Sequence, residues 1–529
     1  MYVHMKQLVS LGLLLVLTVV GQMTAAGPDL RLVDAMAERN TALVRTLLGE
    51  GVDVNSARAD GATALLWAAH WNDVDLAEQL LGAGARVNAA DDHGVTPLAR
   101  ACENASEEMV GRLLEADADP NAAQVNGLTP LMTAARTGNV DVVHALLSRG
   151  ADVNAVTTVT RETALTWAVA ARRVEMVRLL VNNGADVHSN SGQAFSPLMA
   201  AARSGDIESA TVLLAAGARV NDTSVDGTHP LPYAIVVGES AFAHFLLEQG
   251  ADPNGAIDGT TALHAAAGPV DTWLNMWSRR HGGGGARHYR LTMDERLALV
   301  EALFDRGADP NPRMTASEMP GLGFLRNGSY DNFGTGTGDV AGATPLWVAA
   351  YATNPGHGSA SNRYRNIKPM SSGDVLRALL AGGARPNITT ADGTTPLMAA
   401  AGCGRAAHVK NAPRSFEQPV AEEAARVLLE AGADVNVRNE GDFTALHCAA
   451  FSGLPELVRL FVSHNADINA RDWRGRTPFR LAQGAKQSFH YQAWPAVADL
   501  LQELGADTSL GIPGTLHERL RGLAATHDR

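Results

Sequence analysis

At 529 residues the chain is too long for one ordinary core, so several domains or a repeat array are expected. Aromatic residues make up only 5%, while Ala, Leu and Gly recur throughout, a composition suited to closely packed helices. The formal net charge of −13 favours solubility and excludes a general nucleic-acid surface, which needs a basic balance.

The first element is apolar. Lys6 precedes a run from Leu8 to Val20, and Thr24-Ala25-Ala26 offers small residues for cleavage before Gly27. The run is shorter than the ~20 residues a membrane span needs. Residues 1–26 therefore read as a signal peptide, with an uncleaved anchor as the alternative. No second run of spanning length follows, so the mature chain is expected to be exported, periplasmic or secreted, without a membrane span. Cys102, Cys403 and Cys448 are too few and too scattered for a disulfide framework. Cys102 and Cys448 read as small buried thiols among helical alanines, and Cys403, at a Gly-rich boundary, is open to exposure. A Cys403–Cys448 bridge is conceivable but is not the expectation.

From here two phrases repeat in phase. The first is Gly-Ala-Asp-Val-Asn, whose Asn slot is filled by Asn55, Asn88, Asn121, Asn154, His188, Asn221, Asn254, Asn311, Asn387, Asn436, Asn469 and Thr508. Its spacing is 33 or 34 residues as far as Asn254 and is then stretched by insertions. The second is Gly, then Thr-Pro/Ala-Leu, then an Ala pair, as in Gly94-Val95-Thr96-Pro97-Leu98 and Gly393-Thr394-Thr395-Pro396-Leu397. Thr can cap free helix N–H groups, and Pro at the first helical position loses nothing by lacking one. Leu pairs such as Leu80-Leu81 and Leu146-Leu147 mark a second helix, which ends at a Gly able to turn left-handed. Each unit reads turn, helix, loop, helix, extended hairpin.

These phrases resemble the ankyrin repeat, over residues about 29 to 510. The resemblance implies an all-α ankyrin-repeat solenoid of about twelve helix–turn–helix–hairpin units. Departures are visible. The motif's His is kept only at His264 and His447, and His229-Pro230-Leu231-Pro232 lacks the capping Thr. The first unit lacks the Thr-Pro-Leu phrase and reads as an end cap. The chain divides into a signal (1–26), regular repeats (27–267), repeats with long insertions (268–510) and a capping helix (511–529). Thr515 and Glu518 in that last segment have capping-box spacing.

In arrays of this kind partners lie along the concave face of first helices and hairpin tips. Carried over by position, the exposed candidates are His70, Trp71, Arg136, Arg203, Tyr351 and Phe451, with Arg471, Trp473, Arg474 and Arg476 at a tip. Trp and Arg are the side chains most enriched at binding hot spots. An exposed aromatic can equally cover a neighbour's backbone. Trp67, Trp167 and Tyr233 stand where a core Leu is usual and read as packing.

The insertions, at about 269–291, 313–341, 354–371, 404–419 and 486–495, carry Trp273, Trp277, Phe324, Tyr330, Phe333, Phe489, Tyr491 and Trp494. Their aromatics lean toward ordered contact surface.

No catalytic constellation stands out. Gly282–Gly285 lacks the ending of a phosphate loop, His281 and His288 lack companion ligands, and no Ser is framed as a nucleophile elbow. No catalytic, cofactor or metal residue is assigned. The expectation is a monomeric, non-enzymatic scaffold that binds a protein partner, not nucleic acid. The alternative is an enzyme, or an enzyme subunit, whose site is built by the insertions at 269–291, 313–341, 354–371 and 404–419. Shielding of an envelope enzyme is a third reading.

Overall fold

The computed structural model describes residues 29–189, 195–268, 270, 274, 277, 291–315, 341–353, 373–403, 414–487 and 490–520, the side chains of 414–418 and 486–492 excepted. The signal assigned to residues 1–26 lies outside these, as do Trp273, the Gly282–Gly285 run, Phe324, Tyr330, Phe333 and Phe489. The described chain is helical apart from two short antiparallel hairpins, which pair Ala256↔Thr261 and Ala485↔Gln492. It divides between Asp186 and Val187 into two compact units.

In the first unit the helices come in pairs, from Arg31–Ala37 with Thr41–Glu50 to Ala164–Ala170 with Val174–Asn182. First helices pack on the next pair's first helices, and second on second. The sequence explains where each begins. Thr63, Thr96, Thr129 and Thr163 accept from the backbone N–H three residues on, and Pro97 and Pro130 occupy the first turn. The alanine pairs Ala68-Ala69 and Ala134-Ala135 are fully buried because only small side chains let neighbouring helices approach closely.

The repeated Asn is the staple between neighbouring repeats. Asn121 Nδ2 donates to the Gly150 carbonyl at 2.9 Å while its Oδ1 accepts from the Asp152 N–H at 2.7 Å. Asn55, Asn88 and Asn154 make the same pair of bonds with the following repeat. The tips continue the stitching, with Asp92, Val125 and Thr158 N–H groups donating to the Asp60, His93 and Asn126 carbonyls. Gly127 sits at φ +81°, where an added Cβ would come within 2.7 Å of the Thr158 nitrogen, so only glycine lets the tips close up. Asn121→Ala removes both bonds and should lower stability by about 1–2 kcal/mol, read from urea unfolding midpoints.

The second unit repeats the plan from helix Pro197–Ser204 to helix Pro495–Glu503. The Asn staple runs through Asn221, Asn254, Asn311, Asn387 and Asn436. His188 breaks it and instead faces Asp222, Nδ1 to Oδ2 at 3.2 Å. Helix Pro230–Val237 forms without a side-chain cap, since the His229 ring turns to the Ala256 backbone. Arg296 is buried and donates to the Ala265 and Ala266 carbonyls, closing the C-terminal end of helix Ala262–Ala267. Near the end, Thr515 and Glu518 exchange capping-box bonds.

One cysteine expectation is corrected. Cys403 is buried and bridged to Cys448, with Cα atoms 5.3 Å apart. Cys403 lies eight residues after the cap Thr395 and Cys448 four after Thr444, slots that stacking of consecutive first helices brings together. Cys102 stays free and buried, and burial raises its thiol pKa far above the usual range, so it is inert at neutral pH.

Candidate functional site

The residue seven after each cap reports whether the first-helix face is open. In the first unit it is exposed at His70, Glu103, Arg136 and Ala170. In the second unit Arg203 is exposed, but Val236, Gly268, Tyr351 and Gly484 are buried and Gly402 and Phe451 half-buried. Gly268 is closed off by Val348 and Ala352 and Gly484 by Arg519, and the described insertion residues add further cover. Val270, Leu274 and Trp277 are buried, and the Trp277 indole donates to Thr228 Oγ1 at 2.9 Å. Its ring meets Tyr233 edge-on at 5.7 Å, and Tyr233 stacks on Phe195 at 5.1 Å. Trp494, from the last insertion, donates its indole N–H to the Phe451 carbonyl at 2.9 Å. These two tryptophans, expected as contact surface, face their own chain.

Two more candidates are corrected. Tyr351 was expected to be exposed but is 6% accessible and stacked on the buried Trp347 at 5.0 Å. Arg476 is 5% accessible, with Nε and Nη2 on Asp472 Oδ2 at 2.8 and 2.7 Å. Asp472 Oδ1 accepts from the Arg474 and Arg476 N–H groups, so the pair shapes the tip from within. Its neighbours reach outward: Arg471 is exposed, Trp473 is 46% accessible, and half-buried Arg474 lies over the Trp473 ring at 4.7 Å. Phe451 packs against a core of Phe443, Leu481 and Ala485.

The richest group of candidates lies in the first unit, on helix Ala64–Trp71. Trp67 and Trp71 stack at 5.9 Å with His70 edge-on to both. Arg39 covers the outer face of this pair over Trp71 at 5.0 Å, and Arg58 covers Trp67 at 5.7 Å. Arg58 is held by Asp34 at 2.8 Å. Asn104 ties the next repeat to the same helix end through the Ala69 and His70 carbonyls. Trp67 and Trp167, read as packing, are half-buried, and Arg136 lies over Trp167 at 5.6 Å. Arg39 went unrecognised because its repeat lacks the Thr-Pro-Leu phrase, and only the folded stack reveals it. Among the described residues no three His, Cys, Asp or Glu side chains are grouped to hold a metal, and no helix is long and apolar enough to cross a membrane.

A sequence family described as "Ankyrin repeats (3 copies)" matches residues 32–124, 112–191, 198–272 and 416–493, more than half of the chain. The chain belongs to the ankyrin-repeat family, and with its paired helices it is an all-α ankyrin solenoid. Repeats of this family mediate protein–protein interaction. Human Ankyrin repeat and SOCS box protein 16 is 38% identical over 136 residues, 25% of this chain and 26% of that one. The E3 ubiquitin-protein ligase KEG of Arabidopsis thaliana is 28% identical over 333 residues, 60% of this chain and 17% of that protein. The ankyrin repeat domain of human ASB11 is a solved structure at 30% identity and TM-score 0.34, covering 38% of this chain and 89% of that one. The chain spans about a quarter or less of the length of these curated relatives.

Proposed function

We propose that the chain is a non-catalytic scaffold that acts outside the cytoplasm and holds a protein partner on the open first-helix face of its regular repeats. The observation that carries this reading is the exposure of His70, Glu103, Arg136 and Ala170 beside buried small residues, against the covered equivalents from Val236 onward. A face that varies in chemistry on a fixed backbone is where a repeat array encodes a partner. Trp277 and Trp494, the insertion tryptophans that are described, cover their own repeats rather than forming a separate contact surface. The Cys403–Cys448 bridge supports an oxidising compartment, as does the apolar leader.

Affinity capture with the full mature chain tests this. Arg136→Glu with Arg203→Glu runs beside the wild type, both side chains being exposed. A protein retained by the wild type and depleted about tenfold or more by the double variant is expected. Equal retention by both chains, or none by either, would contradict the reading.

A further inference from the structure

We infer that the array is uncoupled at His188, so that residues 29–186 and the repeats after Val187 open and unfold as two separate blocks. On either side of this slot the staple is complete. Asn154 and Asn221 donate to the Gly184 and Gly250 carbonyls and accept from the Asp186 and Asp252 N–H groups. At His188 the matching groups are the Gly217 carbonyl and the Arg219 N–H. Among the described residues neither is bonded to His188, and the Arg219 N–H has no hydrogen-bond partner. Arg219 is not the cause, since Arg86 holds the same place in its repeat and its N–H donates to Asn55 Oδ1 at 2.7 Å. The cause is the ring. A carboxamide carries donor and acceptor on one carbon and bridges backbone groups two residues apart, whereas the imidazole nitrogens point away from each other.

What replaces the staple is weaker. His188 Nδ1 turns to Asp222 Oδ2 at 3.2 Å, with the two side chains 45% and 40% accessible, and ion pairs so exposed contribute little. Repeats are held only by their neighbours, so a junction without its staple lowers the coupling between the two sides. The compact units divide between Asp186 and Val187, in the hairpin that carries His188. A weak junction in a repeat array splits one cooperative unfolding into two. The open positions His70, Glu103 and Arg136 then fall wholly within the first block, and the Cys403–Cys448 bridge wholly within the second. A partner that orders the first block leaves the second as it is. The uncoupling itself does not depend on a partner.

Pulsed hydrogen exchange on the full chain along a urea series, read peptide by peptide, tests this. Peptides from residues 29–186 should lose protection at a urea concentration distinct from that of helices Pro197–Ser204 to Ser240–Glu248. His188→Asn supplies the missing carboxamide. It should slow exchange of the Arg219 amide about tenfold or more and draw the two midpoints together. Asn154→His makes the same break one junction earlier and should speed exchange of the Asp186 amide by a similar factor. A single midpoint shared by all these peptides in the wild type would overturn the inference. So would two midpoints that His188→Asn leaves unmoved.

Discussion

Taking the folded chain from about pH 7 to about pH 4 should lower its stability by up to about 3 kcal/mol at each of two histidines. His264 and His447 are fully buried, and burial lowers both pKa values from 6.5 to about 4. Each ring completes a capping box. Nδ1 accepts from the backbone N–H of Thr261 or Thr444 at 3.2 Å, which puts the ring proton on Nε2. Nε2 then donates to the Ala343 carbonyl at 3.0 Å or the Arg476 carbonyl at 3.3 Å. Protonation at Nδ1 would destroy the acceptor that caps the helix. Around His447, Asp472 favours the charged ring, while Arg476 and Arg438 oppose it.

The sign follows from which state binds the proton. Above pH 6.5 both states are neutral and nothing changes. Between 6.5 and 4 the unfolded chain takes up protons that the folded chain refuses, so stability falls as pH falls. Below about 4 this contribution is exhausted. Urea unfolding across the range should show the loss, and His264→Gln with His447→Gln should flatten it, since Gln keeps an acceptor at the capping-box position. A slope unchanged in that double variant would contradict the assignment.

Breaking the Cys403–Cys448 bridge should cost about 4 kcal/mol, the loop-closure value for a separation of 45 residues. The effect should be concentrated in the repeats that the bridge joins, because each repeat depends on its neighbours. Cys403→Ser compared with the wild type by urea unfolding measures the loss. Thiol labelling of the unfolded, unreduced chain gives an independent count: a chain made in an oxidising compartment should expose Cys102 alone. Labelling of all three cysteines would show that the bridge does not form.

Much of the architecture was legible because two phrases kept phase. The Thr caps, the glycine turns and the Asn staple are local devices, and each recurs at its position in the repeat. His188, which fills the Asn slot, is where the structure shows the staple broken. What the phrases could not show was cover. Tyr351 occupies the same slot as His70, and only the fold around it decides that one is buried and the other open. Trp277 and Trp494 likewise read as exposed aromatics until they are seen bonded to Thr228 and Phe451. Arg476 looked like one of a basic tip, and its burial follows from Asp472 four residues earlier, a signal present in the sequence but common in solvated loops too. The cysteine pair was within reach, since phase alone sets Cys403 and Cys448 in facing slots.

The most direct test of the proposed partner-binding face is hydrogen exchange on the captured complex, compared with the free chain. Slowed exchange is expected at the ends of helices Ala64–Trp71, Pro97–Glu103, Pro130–Thr137 and Ala164–Ala170, and in the tips beside them. Little change is expected in helices Pro345–Ala352 and Pro396–Ala400, whose faces are already covered. Protection confined to residues beyond Val236, with the first unit unchanged, would contradict the account and move recognition to the insertion-bearing repeats.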